Sequence, residues 1–321
     1  MAPLTLGSHG SNVRALERRL NDLGYLKGKA DGSFDQKTAD AIIAYKSDHG
    51  WEDPRGIAGK RLAGSLGFGD SFDSGATPTG TGTGDGAKGK QKPLKGGTFN
   101  ALVGRNPKFV ANEVRKMAKA RDLDFIQLQE ISTYREQIKD IPGYKLITFP
   151  GSKDHGETGI LVKDGITVSD RESIQAKGPG WKSKEGDPRA PRAATSVLLN
   201  GWLRVVSVHA PPAIDFRNGH AVGPEARVKS YKSLMTELAK AAKEYRKDGE
   251  AMVFGGDWNE GPNSTGVGSP HWLARVAGMK TYDGGRIDWE MARGATIERM
   301  RRRGDGGGSD HNLWTFVVKP K

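Results

Sequence analysis

From Gly69 to Gly97 the chain reads GDSFDSGATPTGTGTGDGAKGKQKPLKGG, and this stretch constrains everything around it. Gly, Thr, Ser, Pro and Lys dominate, while aromatic and branched apolar side chains are nearly absent. Such a segment cannot bury enough apolar surface to offset the entropy lost on ordering. A structureless run of this length is also uncommon inside one compact domain. Residues 69–97 therefore read as a flexible linker, which divides the 321-residue chain into two units, 1–68 and 98–321, each with its own core.

The first unit reads as three short helices. Ser11 stands as an N-cap, with Val13, Leu16, Leu20 and Leu23 at helical spacing and Gly24 as the stop. DGSFD at 31–35 is a turn, and Asp35 caps a second helix that turns Ala39, Ile42, Ile43 and Tyr45 inward. A third helix is expected over 57–66. His9 and His49 stand alone, in surface or capping positions rather than as metal ligands. LTLGSHGSNVRALERRLNDLGYL and DGSFDQKTADAIIAYKSDHG carry a Gly-x-x-Gly-x-x-Val start, a Leu-Gly-Tyr helix end, and Asp-Gly-x-Phe before Thr-x-x-Ala. Across residues 4–66 these features resemble the peptidoglycan-binding domain type 1 family; Tyr45-Lys46 stands where that family usually has Phe-Gln. The resemblance implies a small three-helix domain that binds peptidoglycan or serves as a spacer or docking unit.

Charge and composition narrow the partners. Net charge is +12, carried unevenly: residues 1–70 hold 10 Lys/Arg against 9 Asp/Glu, residues 98–321 hold 36 against 27. The excess favours polyanions such as nucleic acid, wall polymers or anionic lipid. With no cysteine, disulfides, thiolate metal sites and a cysteine nucleophile are excluded. No apolar run is long enough to span a membrane. MAPLTLGSHG has neither a basic nor an apolar leader region, so no secretory signal is expected. That reading puts synthesis in the cytoplasm, with a virion or cell-wall destination and a bacteriophage or actinobacterial source as a fitting origin. A monomer is expected.

Residues 98–321 alternate strands and helices. TFNALV (98–103), DFIQLQEI (124–131), TGILVK, ATSVLL, LRVVSVHAP, AMVFGGD and the C-terminal NLWTFVVK are strand candidates. A helix over 106–122 has Asn106 as its cap and Pro107 in first position, and a long helix covers 224–247. The pattern is α/β, with two sheets packed face to face and covered by helices. Polar residues punctuate the strand ends: Asn100, Glu130, His209, Asp257, Asn259, Asp288, Asp310 and His311. Taken singly, each is a turn former or cap. On a shared rim they would converge on one pocket, where crowded carboxylates require a cation. Oxygen donors without cysteine favour Mg²⁺, Mn²⁺ or Ca²⁺ over zinc. Asp257 and Asn259, two apart, are expected to point the same way, with Gly255 and Gly256 relieving the crowding before them.

FN (99–100), QE (129–130), VHAP (208–211), GGDWNE (255–260), ID (287–288) and GSDH (308–311), in that order, resemble the endonuclease/exonuclease/phosphatase superfamily, which includes deoxyribonuclease I. The resemblance implies a four-layer α/β sandwich and a Mg²⁺ cofactor, with Mn²⁺ able to substitute. By match, Glu130 is the principal metal ligand, supported by Asn100 and Asp310. Asp257 orients or deprotonates the attacking water. Asn259 holds the phosphate, and His209 and His311 contact it. Asp288 pairs with one of the histidines or a second metal. Glu157 resembles the acid behind a catalytic histidine, a plain surface glutamate being the alternative. Arg192, or Arg189 in its place, resembles a phosphate-binding arginine. The function implied is a metal-dependent phosphodiesterase tethered to a wall-binding module. A DNA endonuclease of low sequence specificity is favoured by the basic balance and by RMRRR at 299–303, which otherwise reads as a solvated helix face. A phosphatase or phospholipase on the same scaffold, and a wall-bound virion component with a vestigial site, stay open.

Overall fold

The computed structural model describes residues 4–49, 51, 55–66, 68, 91–150, 156–178, 180–182, 188–217, 219–304 and 308–321. They form two compact units. Most of the stretch read as a linker, 69–90, lies outside the described residues.

In the first unit, α1 (Ser11–Asp22), α2 (Gln36–Asp48) and α3 (Lys60–Ser65) enclose a core that includes Val13, Leu16, Leu20, Phe34, Ile42, Tyr45 and Leu62. Asp35 caps α2, its carboxylate accepting the Thr38 N–H at 2.9 Å. Three expectations need correction. The α1 N-cap is Gly10, whose φ of 117° a side chain would resist, so Ser11 opens the helix instead. Leu23 is the C-cap and is exposed, because the chain has already turned away from the core. The third helix is shorter than 57–66, since Ala58 is taken by an antiparallel bridge to Leu4. Lys46 is buried and its ammonium donates to the carbonyls of Arg55 and Ile57 at 2.8 and 3.0 Å. Its role in this chain is therefore to hold the segment leading into α3.

The second unit contains β1 (Leu94–Asn100), α4 (Pro107–Ala120), β2 (Phe125–Gln129), α5 (Arg135–Ile138), β3 (Tyr144–Thr148), β4 (Gly159–Lys163), β5 (Val168–Gln175), β6 (Trp181–Lys182), β7 (Pro188–Arg189), β8 (Ala193–Leu199) and β9 (Leu203–His209). After these come β10 (Asp215–Arg217), β11 (His220–Val222), α6 (Glu225–Lys247), β12 (Ala251–Asp257), α7 (Pro270–Ala277), β13 (Lys280–Tyr282), β14 (Asp288–Arg293), β15 (Ala295–Arg303) and β16 (Leu313–Pro320). β1 begins at Leu94, inside the stretch read as linker. Gly96 and Gly97 serve packing there: a Cβ on Gly96 would come within 2.5 Å of the Phe125 and Phe316 rings. RMRRR is likewise a strand, the end of β15, not a helix face. β3, β5 and β13 to β15 carry charged or mixed side chains that hide an apolar alternation.

Two six-stranded sheets result, in the orders β15-β16-β1-β2-β4-β3 and β13-β14-β12-β9-β8-β5. Each has one parallel pair near its middle, β1–β2 and β9–β12. α4 makes the crossover in the first sheet and α6 in the second, which leaves α4 and α5 on one outer face and α6 and α7 on the other. The fold is a four-layer α/β sandwich. Asn106 caps α4 by accepting the Lys108 N–H at 3.0 Å.

Between the sheets, polarity is graded along each strand. Leu94, Phe125, Leu203, Val205, Val253, Ala292 and Phe316 fill one end of the inter-sheet core. Alternation then places polar residues on the same face: Thr98 on β1, Gln127 and Gln129 on β2, Ser207 on β9 and Glu290 on β14. These bridge the sheets, Gln127 Nε2 donating to Val206 O at 2.9 Å and to Glu290 Oε2 at 3.3 Å, and Gln129 Nε2 to Ser207 Oγ at 3.1 Å. Removing an apolar anchor of this face, as in Phe125→Ala, is expected to cost about 3–5 kcal/mol.

Glu290 is fully buried, and burial pushes its carboxyl well above the ordinary range. A carboxyl raised in the folded state contributes most below its unfolded value, and that contribution is lost as pH rises. Glu290→Gln should therefore melt at or above the wild type at neutral pH, with the gap closing under acid conditions. Parallel pH profiles for the two proteins, by thermal denaturation, would contradict a raised Glu290 carboxyl.

Candidate active site

Strand register delivers four polar side chains to one rim. Asp257, the last residue of β12, lies beside His209, the last of β9, and beside Asp288, the first of β14. Asn100, the last of β1, lies beside Gln129, and Glu130 follows directly. Asn100, His209, Asp257 and Asp288 are the next alternate positions on the graded inter-sheet face. Carboxyl ends of parallel strands are the usual ligand-binding edge of α/β sheets. Glu130 departs from alternation, and its φ of 57° turns it back toward the rim.

At the centre, Asn100 Nδ2 donates to Glu130 Oε1 at 3.0 Å and to Asp257 Oδ2 at 2.9 Å. Its Oδ1 accepts the Leu102 N–H, fixing the amide's direction. The Val103 N–H donates to Glu130 Oε2 at 2.7 Å. Burial raises the Glu130 carboxyl, but these donors and the Arg192 charge outweigh it and hold it below its ordinary value.

Two histidines face this centre in the same way. His209 Nδ1 stands 3.1 Å from Glu157 Oε1, off the angle of a well-made hydrogen bond, and its Nε2 lies 3.7 Å from Asp257 Oδ2. His311 Nδ1 meets Asp288 at 2.9 Å, and its Nε2 also lies 3.7 Å from Asp257 Oδ2. Their charges diverge. Burial and the Arg192 guanidinium push His209 down to about 4, so it is neutral. Burial also works against the His311 proton, yet the bond and charge of Asp288, with Asp257 and Asp310 behind it, raise His311 to about 9.

Other expected residues fall into place around this pair. Arg192 ion-pairs with Glu157 and lies over the Trp181 ring. Arg189, in β7, is exposed and joins none of these contacts among the described residues. Asp310 is 70% exposed, 3.8 Å from His311 Nε2. Asn259 is not aimed by strand alternation, because β12 has ended. With φ 51°, it donates its N–H to Asp257 Oδ1 at 2.8 Å and its Nδ2 to Ala210 O at 2.9 Å, tying the ends of β12 and β9 together. Between them Trp258 turns outward, stacks on Trp289 at 4.9 Å and donates to its carbonyl. Ser309, within GSDH, has a role that the spacing does not reveal. Its hydroxyl donates to Asn100 O at 2.8 Å and accepts the His311 N–H, clamping the loop before β16 to β1. Gly255 leaves room for the Glu290 carboxyl, which a Cβ would strike at 1.7 Å, and Gly256 adopts φ 131°.

Glu130, His209 and Asp257 form one group with donor atoms within 4.8 Å of one another; Asp257, Asp288 and His311 form a second. The first fits a divalent cation. His209 Nε2 faces Glu130 Oε1 at 3.8 Å and Asp257 Oδ2 at 3.7 Å, and the Asn100 amide donates to both of those carboxylates. Asn100 presents N–H groups to this centre and Asp310 belongs to neither group, so Glu130 and Asp257 are the nearer candidates for hard-cation ligands.

Residues 9–66 match the family described as "Putative peptidoglycan binding domain". Over 70 residues the chain is 37% identical to the N-acetylmuramoyl-L-alanine amidase CwlM of Mycobacterium tuberculosis. That match takes in 22% of this chain and 17% of the amidase, so the chain spans only a small part of its curated relative. The sandwich resembles solved structures. An endonuclease/exonuclease/phosphatase from Bacteroides vulgatus is 16% identical with a TM-score of 0.50, over 72% of this chain and 100% of that one. Truncated Caenorhabditis elegans TDP2 is 15% identical with a TM-score of 0.51, over 71% and 97%. D. rerio TDP2, complexed with single-strand DNA product, is 16% identical with a TM-score of 0.50, over 71% and 100%. The second unit has the endonuclease/exonuclease/phosphatase fold.

A histidine raised in the folded state contributes stability below its unfolded value and loses it as pH rises through the folded value. In chelator, the His311 ring signals should titrate near 9, and Asp288→Asn should move them down toward the ordinary histidine range. The melting-temperature loss caused by Asp288→Asn should be largest at mildly acidic pH and shrink above pH 9. Unchanged His311 titration in the variant would refute the pairing.

Proposed function

We propose that the second unit is a divalent-metal-dependent phosphodiesterase, acting as a DNA endonuclease of low sequence specificity, and that residues 9–66 bind peptidoglycan. One observation carries the catalytic reading: two histidines, each backed by its own carboxylate at Nδ1, bring Nε2 to 3.7 Å from the same Asp257 oxygen. A hydrolase needs a base for water, a group that moves a proton to the leaving oxygen and a cation for the developing charge, all within reach of one phosphorus. Asp257 orients the attacking water and takes its proton. Neutral His209 receives that proton from Asp257 at Nε2 and passes it to the leaving oxygen, with Glu157 and Arg192 holding the ring and the acid. Cationic His311 donates from Nε2 to a phosphoryl oxygen, steadied by Asp288. Asn259 and Arg192 hold the phosphate, and Asp310 adds charge at the open edge. Glu130 and Asp257 would hold Mg²⁺ or Mn²⁺ beside Asn100; when bound, the ion would withdraw charge from a phosphoryl oxygen.

DNA is favoured by the basic balance of residues 98–321 and by the DNA product bound to the structurally similar zebrafish protein. The chain should nick plasmid DNA with Mg²⁺ or Mn²⁺ and stop in chelator. His209→Ala and Asp257→Ala should each lower turnover by roughly 10²-fold or more with little loss of DNA affinity. A panel of plasmid, single-stranded DNA, RNA, an inositol phosphate and sphingomyelin tests the substrate class. Full activity in excess chelator, or hydrolysis of a small phosphoester alone, would overturn this reading.

A further inference from the structure

The outer face of the first sheet is only partly covered. α4 and α5 pack over β1, β2 and β4 and reach Leu313 of β16, while no residue of β15 joins that cluster. There a cleft of about 210 Å³ is lined by Lys95, Arg121, Arg299, Arg301 and Arg303, with Thr315 among its floor residues. The arginines reach this face through a bulge: register shifts between Glu298 and Arg301, and Arg299 has φ 57°. Nearby acids are already engaged. Asp122 accepts Lys95 Nζ at 3.0 Å and also pairs with Lys163, while Glu298 pairs with Lys319 at 2.7 Å. Among the described residues, Arg299, Arg301 and Arg303 have no carboxylate partner; Arg303 Nε donates to Thr315 Oγ1 at 3.2 Å. A second cleft, of about 490 Å³, runs along α4 past Arg105 and Lys116 and shares Arg121 with the first.

We propose that this bulged edge of β15 is a backbone-binding surface for a polynucleotide, separate from the catalytic rim. The row starts at the rim, since Arg303 lies across from Leu313, two residues after His311. It runs toward Lys95, five positions along β1 from Asn100, roughly 17 Å at ~3.4 Å per residue. Arg299 and Arg301 are exposed rather than walled in, which suits a long polyanion with a charge every ~3.4 Å per strand better than one enclosed phosphate. Guanidinium groups are the side chains that best match phosphate oxygens in pairs. A short phosphodiester in the catalytic cleft cannot reach this surface, whereas a long strand can.

The choice of ligand rests on the nuclease reading, but the test does not need catalysis. The full chain is titrated in chelator with a labelled DNA of about 30 nucleotides, single- and double-stranded, at several salt concentrations. The Arg299→Gln/Arg301→Gln/Arg303→Gln variant should bind at least tenfold more weakly at physiological salt, with a log–log salt slope shallower by about 2–3. Its turnover of bis(p-nitrophenyl) phosphate should match the wild type. Circular dichroism checks folding, and the single exposed change Arg301→Gln should weaken binding in the same direction. Equal affinity and salt slope in folded variants would overturn the proposal. So would wild-type binding to poly(glycerol phosphate) but to neither DNA, which would make the surface a wall-polymer site. DNA binding that depends on these arginines, without DNA cleavage in Mg²⁺, would support the surface while removing the nuclease reading.

Discussion

Three neighbouring strands end together, and the rest of the site follows from that. The register of β9, β12 and β14 sets His209, Asp257 and Asp288 side by side, and the register of β1 and β2 sets Asn100 beside the approach to Glu130. Packing the two sheets face to face then brings Asn100 Nδ2 within 2.9 Å of Asp257. That hydrogen bond joins the two sheets at their rim. It requires that the inter-sheet face change from apolar to polar before the rim is reached, and the glutamines, serine and buried acid above Phe125, Val205 and Val253 make that change. The Nε2 groups of Gln127 and Gln129 find acceptors across the gap, which limits the cost of burying them.

The paired glycines before Asp257 have two separate causes. Gly255 faces Glu290, whose carboxyl fills the space a Cβ would need, and Gly256 adopts a backbone conformation that side chains resist. Both keep β12 in register between β9 and β14 while an acid is buried beside it. Rigidity at this point matters because Asp257 is shared by both histidines, and a small displacement would move it relative to both at once.

The two histidines show how environment separates the protonation of identical side chains. His209 is buried with Arg192 nearby and loses its proton readily; His311 leans on Asp288 and keeps its own. A neutral and a cationic imidazole on either side of one carboxylate form an acid–base arrangement that neither residue type provides alone.

The α/β class, the capped helices at Asn106 and Asp35 and the apolar strands were legible in the sequence, because local propensity and alternation are properties of consecutive residues. So were the polar residues ending those strands, since an acid after FGG or a histidine after VVSV is conspicuous in an apolar run. β15 was not legible: its bulge and arginines carry no apolar period, and only pairing with β16 makes it a strand. The aim of Glu130 and Asn259 depends on single φ values, and alternation alone misdirects the reading of Asn259. The role of Ser309 and the burial of Glu290 each depend on residues more than a hundred positions away. Which chemical groups stand at the strand ends is written in consecutive residues; which of them face one another is not, because distance, burial and charge between them arise when the two sheets close.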